Sequence, residues 1–272
     1  MSQEEMFVMD MVPAEQYRMR RLQVFNWGTF SGLHDIPIAE EGFLFIGRSG
    51  SGKSTLLDAL SALLAPPQWL VFNAAAREGE KGRHDRSWIS YIRGAWADQT
   101  DDASGEIAPQ YLRLGTTWSA LAVEFTDREG RVISLAQIHW LRGSANRAAD
   151  VRHHFLAAER SFDIAAELKE FDLDLRSLKQ KLADVRHFET FNAYSEYFRR
   201  LLGIESDMAL KLLHKTQSAK NLGDLNTFLR DYMLDRPPTF DVAKRLVEEF
   251  AELDAAHQAV VTARRQVNTL RP

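Results

Sequence analysis

The chain has no cysteine in its 272 residues. That excludes disulfides, cysteine nucleophiles and thiolate zinc sites, and nothing argues for an oxidising compartment. It also lacks an apolar run of membrane-spanning length, and its first residues, MSQEEMFVMDMVP, carry acids where a secretory signal needs bases. Membrane insertion is not expected, and a cytosolic location is the default. A strong charge of one sign is missing too: the net charge of −4 does not advertise nucleic acid, so any DNA role must be argued from elsewhere. No Ser/His/Asp arrangement sits in a recognisable nucleophile context. What remains is 45% hydrophobic, enough to bury a full α/β core with an appendage.

Against these absences stands one dense motif. The octapeptide GRSGSGKS, Gly47 to Ser54, fits G-x-x-x-x-G-K-S/T. Before it, Gly42 to Ile46 is a short apolar run that reads as a buried strand, and after it Ser54 to Leu64 reads as a helix stopped by Pro66 and Pro67. Strand, glycine loop and helix N-terminus would aim unpaired N–H groups and a helix dipole at one point, which suits a polyanion. The expected ligands are ATP and magnesium. The candidate nucleotide contacts are Gly47, Arg48, Ser49, Gly50, Ser51, Gly52, Lys53, Ser54 and Thr55. Of these, Lys53 would reach the β- and γ-phosphates, while the Ser54 hydroxyl would ligate the metal.

Elsewhere the pattern is coarser. Residues 1–16 read as a polar tail. Tyr17 to Trp27 alternates as a first strand, and Thr117–Phe125 with Arg131–Leu141 reads as a hairpin turned by Asp127-Arg128-Glu129-Gly130. From Phe162 onward the spacing predicts helices: Phe191, Tyr194, Phe198, Leu201 and Leu202 share one face, and Leu225, Phe228, Leu229, Tyr232 and Met233 share another. Pro237-Pro238 then breaks a 17–236 lobe from a last helix capped by Thr239. Along that helix Leu246, Phe250, Leu253, His257, Val260, Arg264 and Val267 follow alternating spacings of three and four, a seam of about three and a half heptads. Residues 237–272 therefore read as the root of a coiled-coil arm, and the chain as the first segment of something longer. His153-His154 is read as a helical pair pointing apart, not as a metal site.

A complete P-loop ATPase also needs an apolar strand ending in an acid. The candidates are poor: Ala122 to Asp127 is a hairpin arm and Glu248-Glu249 lies on the last helix. An LSGG-type signature is absent as well.

With RLQVFNWGTFSG before the P-loop, GRSGSGKSTLLDALSALL at it, and LLHKTQSAKNLGDLNTFLRDYML at Leu212 to Leu234, nearly the whole chain resembles the N-terminal half of an ATPase head of the SMC/SbcC type. The closest resemblance is to the MukB/MksB/JetC-like condensins. The resemblance implies an ABC-type P-loop half-head, α/β with a mixed sheet and an emerging coiled-coil helix, in a nucleoid-associated protein. In such proteins the signature and Walker B residues lie in a C-terminal half joined by a long coiled coil, which would account for the missing acid. It implies that Gln217 is the Q-loop glutamine on magnesium, that Asn26 and Trp27 are strand-end residues near the nucleotide, and that Arg93 is the arginine following the P-loop helix. The implied partners are the C-terminal half of the same head, a second head in a homodimer, kleisin and winged-helix subunits, double-stranded DNA and, for JetC-like (Wadjet) relatives, a separate nuclease subunit that acts against plasmids. The segment Ala76 to Trp96 carries five basic residues against three acidic ones and could serve nucleotide or DNA backbone.

Other readings stay open at this point. They are an MksB-like chromosome organiser, a self-contained P-loop kinase or regulatory NTPase, and a nucleotide-gated interaction module without turnover.

Overall fold

The period-2 alternation of the first strand and of the hairpin is realised in the structure, a computed structural model that describes residues 16–68, 70, 72, 86–100, 107–218 and 239–270. Strand β1 (Arg18–Phe25) pairs with β2 (Leu33–Pro37) on one side and β5 (Thr117–Thr126) on the other. The predicted hairpin is β5 with β6 (Val132–Leu141), in register from Thr117↔Leu141 to Thr126↔Val132. Two further strands, β7 (Arg152–Ala158) and β8 (Arg186–Phe188), complete a six-stranded sheet of order β2-β1-β5-β6-β7-β8, antiparallel at every junction. A separate two-stranded ribbon joins β3 (Ala95–Thr100) to β4 (Ile107–Tyr111).

Both faces of the main sheet are covered, and the strand period sorts the side chains between them. On one face Leu22, Val24, Leu121, Val123, Leu135 and Phe155 pack under helix α1 (Lys53–Leu64), helix α5 (Phe191–Leu202) and Leu210 of α6 (Asp207–Ser218). On the other, Ala120, Ala122, Ala136, Ile138 and Leu156 pack under the segment from Phe162 to Val185, which holds α3 (Ile164–Glu167) and α4 (Leu175–Lys181). Phe191, Tyr194 and Phe198 are buried along α5, as their spacing predicts. A short helix α2 (Trp88–Arg93), closed at its start by a reciprocal Ser87/Ser90 capping box, precedes the ribbon. This is an α/β fold.

The largest departure from expectation lies directly before the P-loop. Residues 42–48 form no strand, and Phe43, Leu44 and Ile46 are 47, 78 and 84% exposed. An apolar strand is stable when both edges are paired and both faces covered. Among the described residues no strand pairs with this run, and of its side chains Phe45 alone packs against the core. For the same reason the expected mixed sheet is antiparallel throughout the described pairs.

Compactness divides the chain into Met1–Asn221 and Leu222–Pro272. In the second unit, helix α7 (Thr239–Leu270) is 32 residues long, with Leu246, Phe250, Leu253 and Val260 between 52 and 73% exposed. Val242 and Val247 are exposed beside them, so its apolar surface is broader than the predicted seam. The predicted Leu225 to Met233 stripe and residues 1–15 lie outside the described residues. None of the described helices is long and apolar enough to cross a membrane.

Candidate nucleotide-binding site

Helix α1 begins at Gly52, whose φ of 92° places it in the left-handed region and whose missing side chain matters twice. A Cβ there would sit 2.7 Å from the Phe30 ring, so only glycine lets the loop enter the helix at this angle. The helix start has no side-chain cap and no acid in its first turn, so its N–H groups and the positive end of its dipole face outward unopposed. Lys53 folds back over the loop: its Nζ donates to the Gly47 carbonyl at 2.7 Å, the Arg48 carbonyl at 2.9 Å and Ser51 Oγ at 3.4 Å. That arch opens onto a cavity of about 410 Å³ lined by the loop residues Ser49 to Thr55.

The rest of the lining comes from the turn after β1 and from the segment Ala76 to Trp96, which the sequence offered as a phosphate-facing stretch without singling out these residues. It is built from Gly28, Thr29, Arg86, Ser90, Tyr91, Ala95 and Trp96. Asp58, buried on α1, accepts the Tyr91 hydroxyl and, at 3.5 Å, the Arg86 guanidinium, which also donates to the Tyr91 oxygen at 3.1 Å. Burial and the Asp58 charge hold the Tyr91 hydroxyl well above the usual phenol range, so it stays a donor. Arg86 is thereby fixed to the P-loop helix while its side chain, 35% exposed, lines the cavity as a second cation. Arg113 ties this wall together. Its guanidinium donates to the carbonyls of Gly28 (2.7 Å), Ile92 (2.8 Å) and Tyr91 (3.0 Å), and burial lowers its pKa to about 10, which still leaves it charged at neutral pH.

Among the expected site residues, the loop set from Ser49 to Thr55 lines the cavity, Ser54 stands exposed at the helix start, and Gly47 and Arg48 form the arch over Lys53. Arg93 is placed elsewhere. It is 3% exposed and donates to four carbonyls, Arg113, Gly115, Gly143 and Ala145, at 2.8 to 3.2 Å, so its charge staples the β4–β5 and β6–β7 connections and does not line the cavity. Asn26 is a turn residue with φ of 49°, its Oδ1 accepting from Gly32 N at 2.9 Å. Trp27 is core: fully buried, stacked 4.4 Å from Tyr91, and donating to the Thr55 carbonyl at 3.0 Å. Gln217 falls in the last turn of α6, where a polar loop was expected, and its side chain lies outside the described residues, as do residues 76–85 of the basic segment.

His153 and His154 lie on strand β7, not on a helix, and so point to opposite faces of the sheet. Each finds a separate histidine, His139 at 2.7 Å and His187 at 3.0 Å. Among the described residues no group of three or more potential ligands could hold a metal.

Residues 19–79 match the family model described as the P-loop containing region of an AAA domain. The chain carries a P-loop ATPase-type domain. No curated protein matches it. The matched span runs from β1 through the phosphate loop and α1, and it supplies Gly28, Thr29 and Ser49 to Thr55 of the cavity lining. The donor set fits a nucleotide triphosphate, with backbone N–H groups, two cations and several hydroxyls converging on one space. It fits magnesium only in part. Ser54 can offer one oxygen, but no carboxylate is among the residues lining the cavity. Asp127, at the end of β5, is committed to its own turn, accepting from Glu129 N, Arg131 N and Arg131 Nε.

Proposed function

We propose that this chain is the ATP-binding N-terminal head lobe of an SMC-like DNA motor, in the JetC-like branch that extrudes DNA loops in plasmid defence. In this reading Ser49 to Thr55 cradle the phosphates, Lys53 and Arg86 neutralise them, and Ser54, with Gln217, contributes oxygens to magnesium. Magnesium, when bound, offsets phosphate charge and orients the terminal phosphoryl group. The acid needed to complete its coordination comes from the C-terminal half of the head, and a second head closes over the nucleotide. Kleisin and winged-helix subunits, double-stranded DNA and a nuclease subunit are the remaining partners.

The observation that carries this reading is the exposed run Phe43, Leu44 and Ile46 directly before a P-loop whose helix start, lysine arch and cavity are formed. A self-contained NTPase would bury that run as a central strand, whereas a lobe that shares its sheet with another segment leaves it open. The exposed apolar residues of α7 are in keeping with a coiled-coil arm. The test is a titration of magnesium-ATP against the chain and Lys53→Ala. Loss of the Lys53 ammonium, a charge-assisted donor, should weaken binding about 10- to 100-fold. Equal affinities would remove the site assignment.

A further inference from the structure

The nucleotide cavity is lined by two chemically different sets of groups. One is the helix start with Lys53 and Arg86. The other is Gly28, Ala95 and Trp96, with the hydroxyls of Thr29 and Ser90 also in the lining. A volume of about 410 Å³ exceeds what a lone phosphate group needs and falls in the roughly 300–1,000 Å³ range of small-molecule sites. A nucleotide divides in the same way, into an anionic part and a flat aromatic part.

Two aromatic residues line the cavity, Tyr91 and Trp96. Tyr91 is 2% exposed, with one face on Trp27 and its hydroxyl on Asp58, so it has no face left for a ligand. Trp96 is 58% exposed. Its position follows from the backbone. In the β3–β4 ladder Ala95 pairs with Tyr111 and Ala97 with Gln110, which leaves Trp96 as the extra residue of a β-bulge. A bulge redirects the side chain it carries, and such features recur beside ligand sites.

The bulge is also rigidly anchored. Gly94, with φ of 70°, has no space for a Cβ, which would meet the Gly28 carbonyl at 2.6 Å. Its own carbonyl accepts from Leu112 N at 3.0 Å, and Arg113 clamps the adjoining turn. Trp96 therefore stands on a fixed support, and it is the aromatic surface of the lining that a ligand can reach.

We propose that Trp96 is the platform on which the nucleotide base stacks. This rests on the reading of the cavity as a nucleotide site, and it adds a base subsite to a phosphate subsite. Stacking uses the face of the base and not its hydrogen-bonding edge, so Trp96 favours nucleotides over bare polyphosphate without strongly preferring adenine over guanine.

The experiment compares magnesium-ATP and magnesium-tripolyphosphate binding to the full chain, Trp96→Ala, Trp96→Phe and Lys53→Ala. Trp96→Ala should weaken ATP about 5- to 150-fold, the range of base–aromatic stacking on alanine substitution, and leave tripolyphosphate within about twofold. Trp96→Phe should keep most of the ATP affinity. Tryptophan fluorescence should be quenched by ATP more than by tripolyphosphate, and that difference should vanish in Trp96→Phe. Unchanged ATP affinity in Trp96→Ala, or an equal loss for both ligands, would overturn the proposal while leaving the phosphate site in place. Tripolyphosphate binding that does not depend on Lys53 would instead remove the site itself, and the base subsite with it.

Discussion

Asp58 sits on the buried side of the P-loop helix, where its carboxylate accepts both the Tyr91 hydroxyl and the Arg86 guanidinium. A buried carboxylate with two donors fixes both of them, and removing its charge leaves Arg86 free to swing into solvent. Asp58→Asn should therefore destabilise the fold by about 1–3 kcal/mol and weaken magnesium-ATP binding by a similar factor of about 5 to 100. Denaturant melts and a nucleotide titration measure the two effects, and a variant that loses neither would show that Arg86 is not positioned through Asp58. The two arginines of this wall also show where sequence reading stops. Arg86 and Arg93 lie in one basic segment, yet Arg93 is spent on four buried carbonyls while Arg86 lines the cavity. Nothing local distinguishes them, because the carbonyls come from residues 113 to 145. Lys53 and the P-loop glycines were legible because phosphate chemistry fixes their spacing within a single turn. Trp96 belongs to the segment the sequence pointed to, but its own place in the lining was not legible, since a bulge is a property of strand pairing.

At the scale of elements, the strands β6, β7 and β8 carry four histidines in two pairs, one on each face of the sheet. Burial lowers His153 and His154 to about 4 and holds His139 well below the ordinary 6.5, and His187 is lowered for the same reason. In the unfolded chain each would take up a proton near pH 6.5. The fold therefore has its full stability above that pH and loses it as the pH falls toward 4, because the unfolded state binds more protons. At pH 5 the loss should be about 1–2 kcal/mol for each of His153 and His154. The salt-bridged carboxylates Asp127, Asp163 and Asp184 are depressed below their usual 3.8, so their stabilisation is lost only at lower pH and does not confuse this window. Melting temperatures between pH 7.5 and 5 measure it, and a flat or rising profile on acidification would contradict the buried neutral pairs. The hairpin β5–β6, helix α1 and helix α7 were all legible, each carrying its period and its own turn or cap residues. Strand β7 was missed, as alternation through His153-His154-Phe155 is too short to separate from a helical reading, and the run at residues 42–46 was over-read. Apolar composition makes a segment capable of being a strand, but only a neighbour makes it one.

For the whole molecule, a phosphate-binding loop and its cavity are built, and no carboxylate is found among the residues lining that cavity. Phosphoryl transfer depends on positioning and charge stabilisation by the complete set of groups, so half a set should lose several orders of magnitude in rate. The exposed Phe43, Leu44 and Ile46 mark where the completing segment docks in the proposed function. The most direct measurement is the steady-state ATPase rate of the purified chain, alone and co-expressed with the C-terminal head segment, with Lys53→Ala as control. A split head predicts magnesium-ATP binding with almost no turnover by the chain alone, and Lys53-dependent turnover once the second segment is present. Robust magnesium-dependent turnover by the isolated chain, abolished by Lys53→Ala, would contradict it and leave a self-contained NTPase.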